Sequence, residues 1–183
     1  MTQSSNQLSD EQIMQMVSDG ELDLMTILFD RYHVRIFNFF NKMVRDKMVS
    51  EDLTQDVFVK ILKYRSSYKN GNFSSWIYTT ARNIFSTYYQ KMKKERENIS
   101  EADSLKEQGL YEEEQNDDEL QHLQRALSYL NHADRELIIM NRFQEIKYEQ
   151  IAEILGSNEN AVKVKTHRAL KKLKDIYFKT VAH

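Results

Sequence analysis

The chain has 183 residues, 26 Lys and Arg against 28 Asp and Glu, no Cys, no Pro and only four Gly. That length suits one ordinary domain or two small ones. The missing thiols exclude a disulfide framework and a thiolate metal site, no apolar run nears the roughly 20 residues of a membrane span, and the polar start is unlike a signal peptide.

A chain so poor in breakers, with long 3.6-period patterns, is expected to be all-α. A cytoplasmic location is expected, with no membrane insertion, no cofactor and no metal. Charge is blocked along the sequence. Residues 1–23 carry five acids and no Lys or Arg, and residues 24–94 carry 13 basic and 5 acidic side chains. Residues 95–119 carry 2 basic and 11 acidic, and residues 120–183 carry 11 basic and 7 acidic. Two basic blocks around an acidic stretch suit a polyanionic partner, because each phosphate contact releases counterions. Ordinary solvated helix faces would also produce such counts.

Residues 8–20 can form a short helix starting at Ser9, with Gly20 as its stop. In the next block Leu24, Ile27, Leu28, Val34, Phe37 and Phe40 recur at helical spacing and are expected in the core. A second helix is predicted from Ser50, a plausible N-cap, with Glu51 and Asp52 in its first turn. Steps of 100° put Leu53, Val57, Phe58, Ile61 and Leu62 on one side, and Asp52, Gln55, Asp56 and Lys63 on the other. Residues 66–75 (SSYKNGNFSS) read as a loop. A third helix is predicted from Ser75 to Lys94, with Ile77, Ala81, Ile84, Phe85 and Tyr88 buried. Thr79, Arg82, Asn83, Ser86, Tyr89 and Gln90 then share its opposite side.

Residues 95–119 are acidic and weakly apolar, too poor in buriable surface to offset their ordering entropy, and their self-repulsion favours extension. They are expected to be a flexible linker between a domain over 22–94 and another over 120–180. In the second domain, helices near 120–130 and 133–142 precede a short helix, Tyr148–Leu155, with Ile151, Ala152 and Leu155 inward. Gly156 can turn the chain through a left-handed conformation. Ser157 or Asn158 can cap the next helix, which runs through Lys174. Val162, Thr166, Ala169, Leu170 and Leu173 line its inner side, and Asn160, Lys163, Val164, His167, Arg168 and Lys171 point outward.

Small Ala152, turning Gly156 and packing Val162 together form a helix-turn-helix signature. The outer side of its second helix can enter a major groove, with base edges near its start and phosphates near its basic end. Residues 160–183 carry seven Lys or Arg against one Asp. A plain helical hairpin with a solvated basic side is the bland alternative. The third helix and its loop mix aromatics with polar and basic groups: Tyr68, Lys69, Asn70, Asn72, Phe73, Trp76, Tyr78, Arg82, Asn83, Tyr88 and Tyr89. Aromatic faces beside Arg and Lys suit unstacked single-stranded bases, although several of these rings also fit a core. The run Glu51–Phe58 puts two carboxylates and an amide on one face, which could be a protein-docking face, a carboxylate metal site or a solvated surface. The five His are scattered and no phosphate-binding Gly-rich loop is present, so no enzymatic constellation is found.

These runs resemble a known family. Ser50-Glu51-Asp52-Leu53-Thr54-Gln55-Asp56-Val57-Phe58 and Trp76-Ile77-Tyr78-Thr79-Thr80-Ala81-Arg82-Asn83 resemble region 2 of the sigma-70 family of RNA polymerase sigma factors. Asp134-Arg135-Glu136-Leu137, then Tyr148–Gly156 and Asn160–Ala169, resemble region 4. Three motifs in this order, with no domain between the blocks and no N-terminal extension, resemble the extracytoplasmic-function (ECF) group. The resemblance implies a promoter-recognition subunit and not an enzyme. Asp52, Gln55 and Asp56 would dock on the clamp helices of core polymerase. Tyr68, Lys69, Asn70, Asn72, Phe73, Trp76, Thr79, Arg82, Asn83 and Ser86 would hold the melted −10 strand. Ser157, Asn160, Lys163, Val164, His167, Arg168 and Lys171 would read the −35 duplex, with the second domain near the polymerase flap. The acidic linker would thread toward the active site and RNA exit, and an anti-sigma protein would be a further partner. Ser86, Val164 and Asn160-Ala161 depart from the residues frequent in the family and bear on the promoter sequence preferred. A stand-alone helix-turn-helix regulator and a metalloenzyme built on Glu51, Asp52 and Asp56 are the alternative readings.

Overall fold

A computed structural model describes residues 8–98 and 118–181. Regular structure among the described residues is helical. It runs α1 (Asp10–Ser18), α2 (Met25–Val44), α3 (Lys47–Lys63), α4 (Phe73–Asn98), α5 (Asp118–Ser128), α6 (His132–Ile138), α7 (Tyr148–Leu155) and α8 (Glu159–Val181). Single 3₁₀ turns at Leu22–Leu24 and Arg65–Ser67 and a π-turn at Ile139–Phe143 complete the order. The chain divides into two compact units. Among the described residues the first contains 8–40 and 47–98, and the second 41–46 and 118–181. Most of the expected linker, residues 99–117, lies outside the described residues.

In the first unit, α1 opens with a capping box: Gln12 N–H donates to Ser9 Oγ at 3.2 Å, and Ser9 N–H to Gln12 Oε1 at 2.9 Å. Gly20, at φ +117°, ends the turn after it. Ile13, Met14 and Val17 are fully buried, so α1 is an integral part of this core; it packs against α4 and the Arg65–Ser67 turn. The inward side of α2 differs from the expected stripe. Leu28, Tyr32, Ile36, Phe39 and Phe40 are buried, while Leu24, Ile27 and Phe37 are half-buried and Val34 is 53% exposed. Apolar residues occur all round this helix, and the large rings Tyr32, Phe39 and Phe40 offer more area to bury than Val34.

Helix α3 begins at Lys47, three residues before the expected cap. Ser50 is buried inside the helix, and its carbonyl accepts the Thr54 hydroxyl at 2.6 Å. Leu53, Val57, Phe58 and Ile61 face inward as expected, against α4. Helix α4 begins at Phe73, two residues earlier than expected, because Asn72 is the cap: its Oδ1 accepts Ser75 N–H at 2.8 Å. Ile77, Tyr78, Ala81, Ile84 and Phe85 are buried along it.

In the second unit, α5 and α6 pack against α8 around Ala126, Leu127, Leu130, Ile138, Ala169 and Leu173. Asn131 caps α6, its Oδ1 accepting Asp134 N–H at 2.9 Å. Helix α5 ends with its carbonyls turned toward the buried Arg135, whose guanidinium donates to the carbonyls of Leu127 (2.9 Å), Ser128 (2.6 Å) and Leu130 (3.0 Å). One cation thus gathers carbonyls at and just beyond the helix end, where intrahelical partners run out; Leu127 O also accepts Leu130 N–H at 3.2 Å. Helix α7 ends at Gly156, with φ +60°, and Ser157 N–H closes back on Ala152 O at 2.8 Å. Asn158, and not Ser157, caps α8: Ala161 N–H donates to its Oδ1 at 2.8 Å. Ala152 and Val162 are buried at the α7–α8 crossing, as the turn signature requires.

Candidate nucleic-acid interfaces

The clearest surface lies on α8. Asn160, Lys163, Val164, His167, Arg168 and Lys171 are all exposed, and Ser157 is exposed just before the helix. Spacings of three and four residues align these six as one strip, opposite buried Val162, Thr166, Ala169 and Leu173. From Asn160 to Lys171 the strip rises about 16 Å, comparable to a major groove about 12 Å wide. Glu159 pairs with Lys163 at 2.7 Å, on a largely solvated site where such a pair adds little stability. Val164 is 49% exposed; an apolar side chain among cations fits a thymine methyl better than water.

The second surface is the loop before α4 and the outer side of that helix. Lys69, Asn70 and Asn72 are exposed, and Asn70 sits at φ +51°, a left-handed conformation that Asn tolerates. Asn72, Trp76, Thr79, Asn83 and Ser86 follow one stripe; Trp76, Thr79 and the neighbouring Arg82 are half-buried, and Asn83 and Ser86 are exposed. Tyr68 and Phe73 do not belong to this surface, which corrects the expectation that they face bases. Phe73 is fully buried and Tyr68 nearly so, with ring centroids 6.3 Å apart, and both pack on Trp76, at 6.2 and 5.3 Å. The Tyr68 hydroxyl donates to Gly71 O, bracing the loop from beneath. Burial, with the carboxylates of Glu11 and Asp10 nearby, pushes the Tyr68 phenol up to about 12. Composition alone does not distinguish a ring that stacks on a base from one that supports the loop holding the base.

On α3, Asp52, Gln55 and Asp56 are exposed together. Met48 and Val59, 76% and 63% exposed, lie on the same side and were not anticipated from the pattern. Their signal was an apolar residue on the polar side of the helix. Polar groups with flanking exposed apolar groups suit a protein partner. Among the described residues no group of three or more His, Cys, Asp or Glu stands ready to hold a metal ion, and no helix is long and apolar enough to cross a membrane.

Residues 28–95 match the family described as Sigma-70 region 2, and residues 120–173 match Sigma-70, region 4. The chain is 30% identical to the RNA polymerase sigma factor YlaC of Bacillus subtilis over 157 residues, covering 83% of this chain and 91% of that one. The chain belongs to the sigma-70 family, as an ECF sigma factor. It is also 28% identical to the ECF RNA polymerase sigma factor SigX of Bacillus subtilis, covering 81% of this sigma factor and 80% of that one. Its fold is similar to that of the sigma factor RpoE of Bartonella quintana, solved with the anti-sigma factor NepR, with a TM-score of 0.71, 23% identity, and coverage of 82% and 94%. The two family matches cover the three surfaces above: those on α3 and α4 in region 2, and that on α8, with α7, in region 4.

Proposed function

We propose that this sigma factor divides promoter recognition between its two ends. Residues 22–94 dock on core polymerase through Asp52, Gln55 and Asp56, and hold the melted −10 strand with Lys69, Asn70, Asn72, Trp76, Thr79, Arg82, Asn83 and Ser86. Residues 120–180 read the −35 duplex with Ser157, Asn160, Lys163, Val164, His167, Arg168 and Lys171. Residues 95–119 tether the two, so that one contact raises the effective concentration of the other and two weak contacts act as a strong one. The chain makes and breaks no bond itself; polymerase does that, in the cytoplasm. An anti-sigma protein is a further partner, as it is for Bartonella RpoE.

The observation that carries this reading is the outward strip of α8, a row of basic and polar groups on a helix fixed by a left-handed Gly156 turn. Purified chain mixed with sigma-free core polymerase is expected to give promoter-dependent transcripts. Asp52→Ala should lower both co-elution with core and transcription. Arg168→Ala should lower transcription in a way that a stronger −10 element restores. Failure to co-elute with core polymerase at low salt would refute the reading. A stand-alone regulator would instead bind duplex DNA without polymerase, and it leaves the α3 surface unused.

A further inference from the structure

The N-terminal helix reaches the loop that precedes α4. Glu11, on α1, places its Oε1 3.1 Å from the backbone N–H of Phe73, the first residue of α4. The start of α4 therefore has two caps of different origin. Asn72 satisfies Ser75 N–H from within the loop, and Glu11 satisfies Phe73 N–H from 62 residues earlier. A carboxylate at this end also meets the positive pole of a 26-residue helix. The neighbouring Asp10 fixes α1 in place. Its Oδ1 accepts Arg31 Nη1 and its Oδ2 accepts the Tyr32 hydroxyl, both at 2.6 Å, and Arg31 also donates to Leu8 O at 3.2 Å. The Tyr32 ring meets Phe73 edge-on at 5.1 Å. Behind Glu11 lie Ile13, Met14 and Val17, fully buried, so its backbone has little freedom to move away.

We propose that Glu11 is a positioning residue for −10 recognition: it holds the start of α4, and with it exposed Lys69, Asn70 and Asn72, in the geometry that meets the DNA strand. This rests on the proposed −10 reading. The residues between Tyr68 and Phe73 are held by the Tyr68–Gly71 hydrogen bond, the Asn72 cap, the Trp76 N–H to Asn72 O bond at 3.1 Å and, where they enter α4, the Glu11 cap. Releasing Phe73 frees one of these, beside the side chains presented to bases. Small displacements of positioned groups are costly in recognition because binding must then order them. The α1 core should still hold the helix, so the loss should appear in −10 affinity more than in folding.

The test uses holoenzyme assembled from the full chain and core polymerase. The probes are forked DNA with the single-stranded −10 segment of a promoter that the wild-type holoenzyme transcribes, and a −35 duplex. Glu11→Ala is expected to weaken forked-DNA binding about five- to tenfold, the scale of a lost cap. Core co-elution and −35 duplex binding should stay unchanged. Glu11→Gln keeps an acceptor oxygen and should recover most of the loss. Val17→Ala, at the far end of α1, should lower the melting midpoint while leaving forked-DNA affinity within about twofold, since it deletes buried methyls away from the cap. The proposal falls if Glu11→Ala binds forked DNA like wild type, if Val17→Ala loses as much, or if −35 binding falls in proportion. Lys69→Ala and Asn83→Ala separate the two ideas. If they weaken forked-DNA binding and Glu11→Ala does not, the positioning role alone is wrong. If none of the three has an effect, the −10 reading fails and the role of Glu11 with it.

Discussion

Gly156 permits a worked test of the helix-turn-helix. Its φ is +60°, and a Cβ built there meets nothing within 4 Å. Space is therefore not the constraint, and the cost of a side chain is the left-handed backbone itself. That cost is about 1–2 kcal/mol for an ordinary L-residue, and less for Asn, which visits this region more readily. The second unit is small, so each 1 kcal/mol should shift its melting midpoint by about 4–8 °C. Gly156→Ala is thus expected to lower the midpoint by about 4–16 °C. Gly156→Ser should match it despite its extra atom, and Gly156→Asn should lose about half as much or less. Thermal melting followed by circular dichroism, with −35 duplex binding measured well below the midpoint, gives both readouts. Affinity per folded molecule should be retained, because Ser157 N–H can still close on Ala152 O. A Gly156→Ala protein as stable as wild type would refute the reasoning. So would losses that grow with side-chain size, because they would show a steric barrier where open space is described.

Other expectations follow from single groups. The Thr166 hydroxyl is fully buried without a hydrogen-bond partner, so Thr166→Val should stabilise the second unit by about 1 kcal/mol in urea titrations, whereas Thr166→Ser should destabilise it. Arg168→Ala and Lys171→Ala should each reduce the slope of log K for DNA against log salt by about 1; Lys163→Ala should reduce it less, because Glu159 already pairs with that cation. Burial pushes the Tyr78 phenol up to about 12, as it and nearby carboxylates do for Tyr68, from an ordinary value of 10.0. The fold favours the protonated phenols, so this contribution is intact below pH 10 and lost as pH rises toward 12. Urea midpoints of the first unit should drop across that interval, and less so in Tyr78→Phe.

The sequence was most legible where backbone geometry demanded a particular residue. Gly156 and the two sides of α8 were legible almost residue by residue, because a left-handed turn after a small crossing residue admits few arrangements. In Tyr148–Leu155, Ile151 and Ala152 are buried as expected, but Ile154 takes the buried place expected of Leu155, which is half-buried. The outward side of α3 was legible too, since Asp52, Gln55 and Asp56 break an otherwise apolar period. Helix α2 was not, because apolar side chains lie in most directions and periodicity cannot choose among them; Val34 faces water as a result. Tyr68 and Phe73 were misassigned because aromatic character serves a core and a base equally well. The role of Glu11 had no local signal, since the N–H it caps is 62 residues away.

Helix α8 combines two duties along one rod of 23 residues, about 34 Å long. Its first half alternates between exposed Asn160, Lys163, Val164 and His167 and buried Val162 and Thr166, while Ala169 and Leu173 anchor the second half in the hydrophobic cluster. The exposed residues proposed to choose a base are thus interleaved with residues that keep the unit folded, yet never coincide with them. On the proposed −35 reading, promoter preference can change by substitutions at Asn160, Val164 or His167 that leave the buried side intact. Gene duplication followed by such changes would give sister factors that share a polymerase and a fold but address different sets of genes.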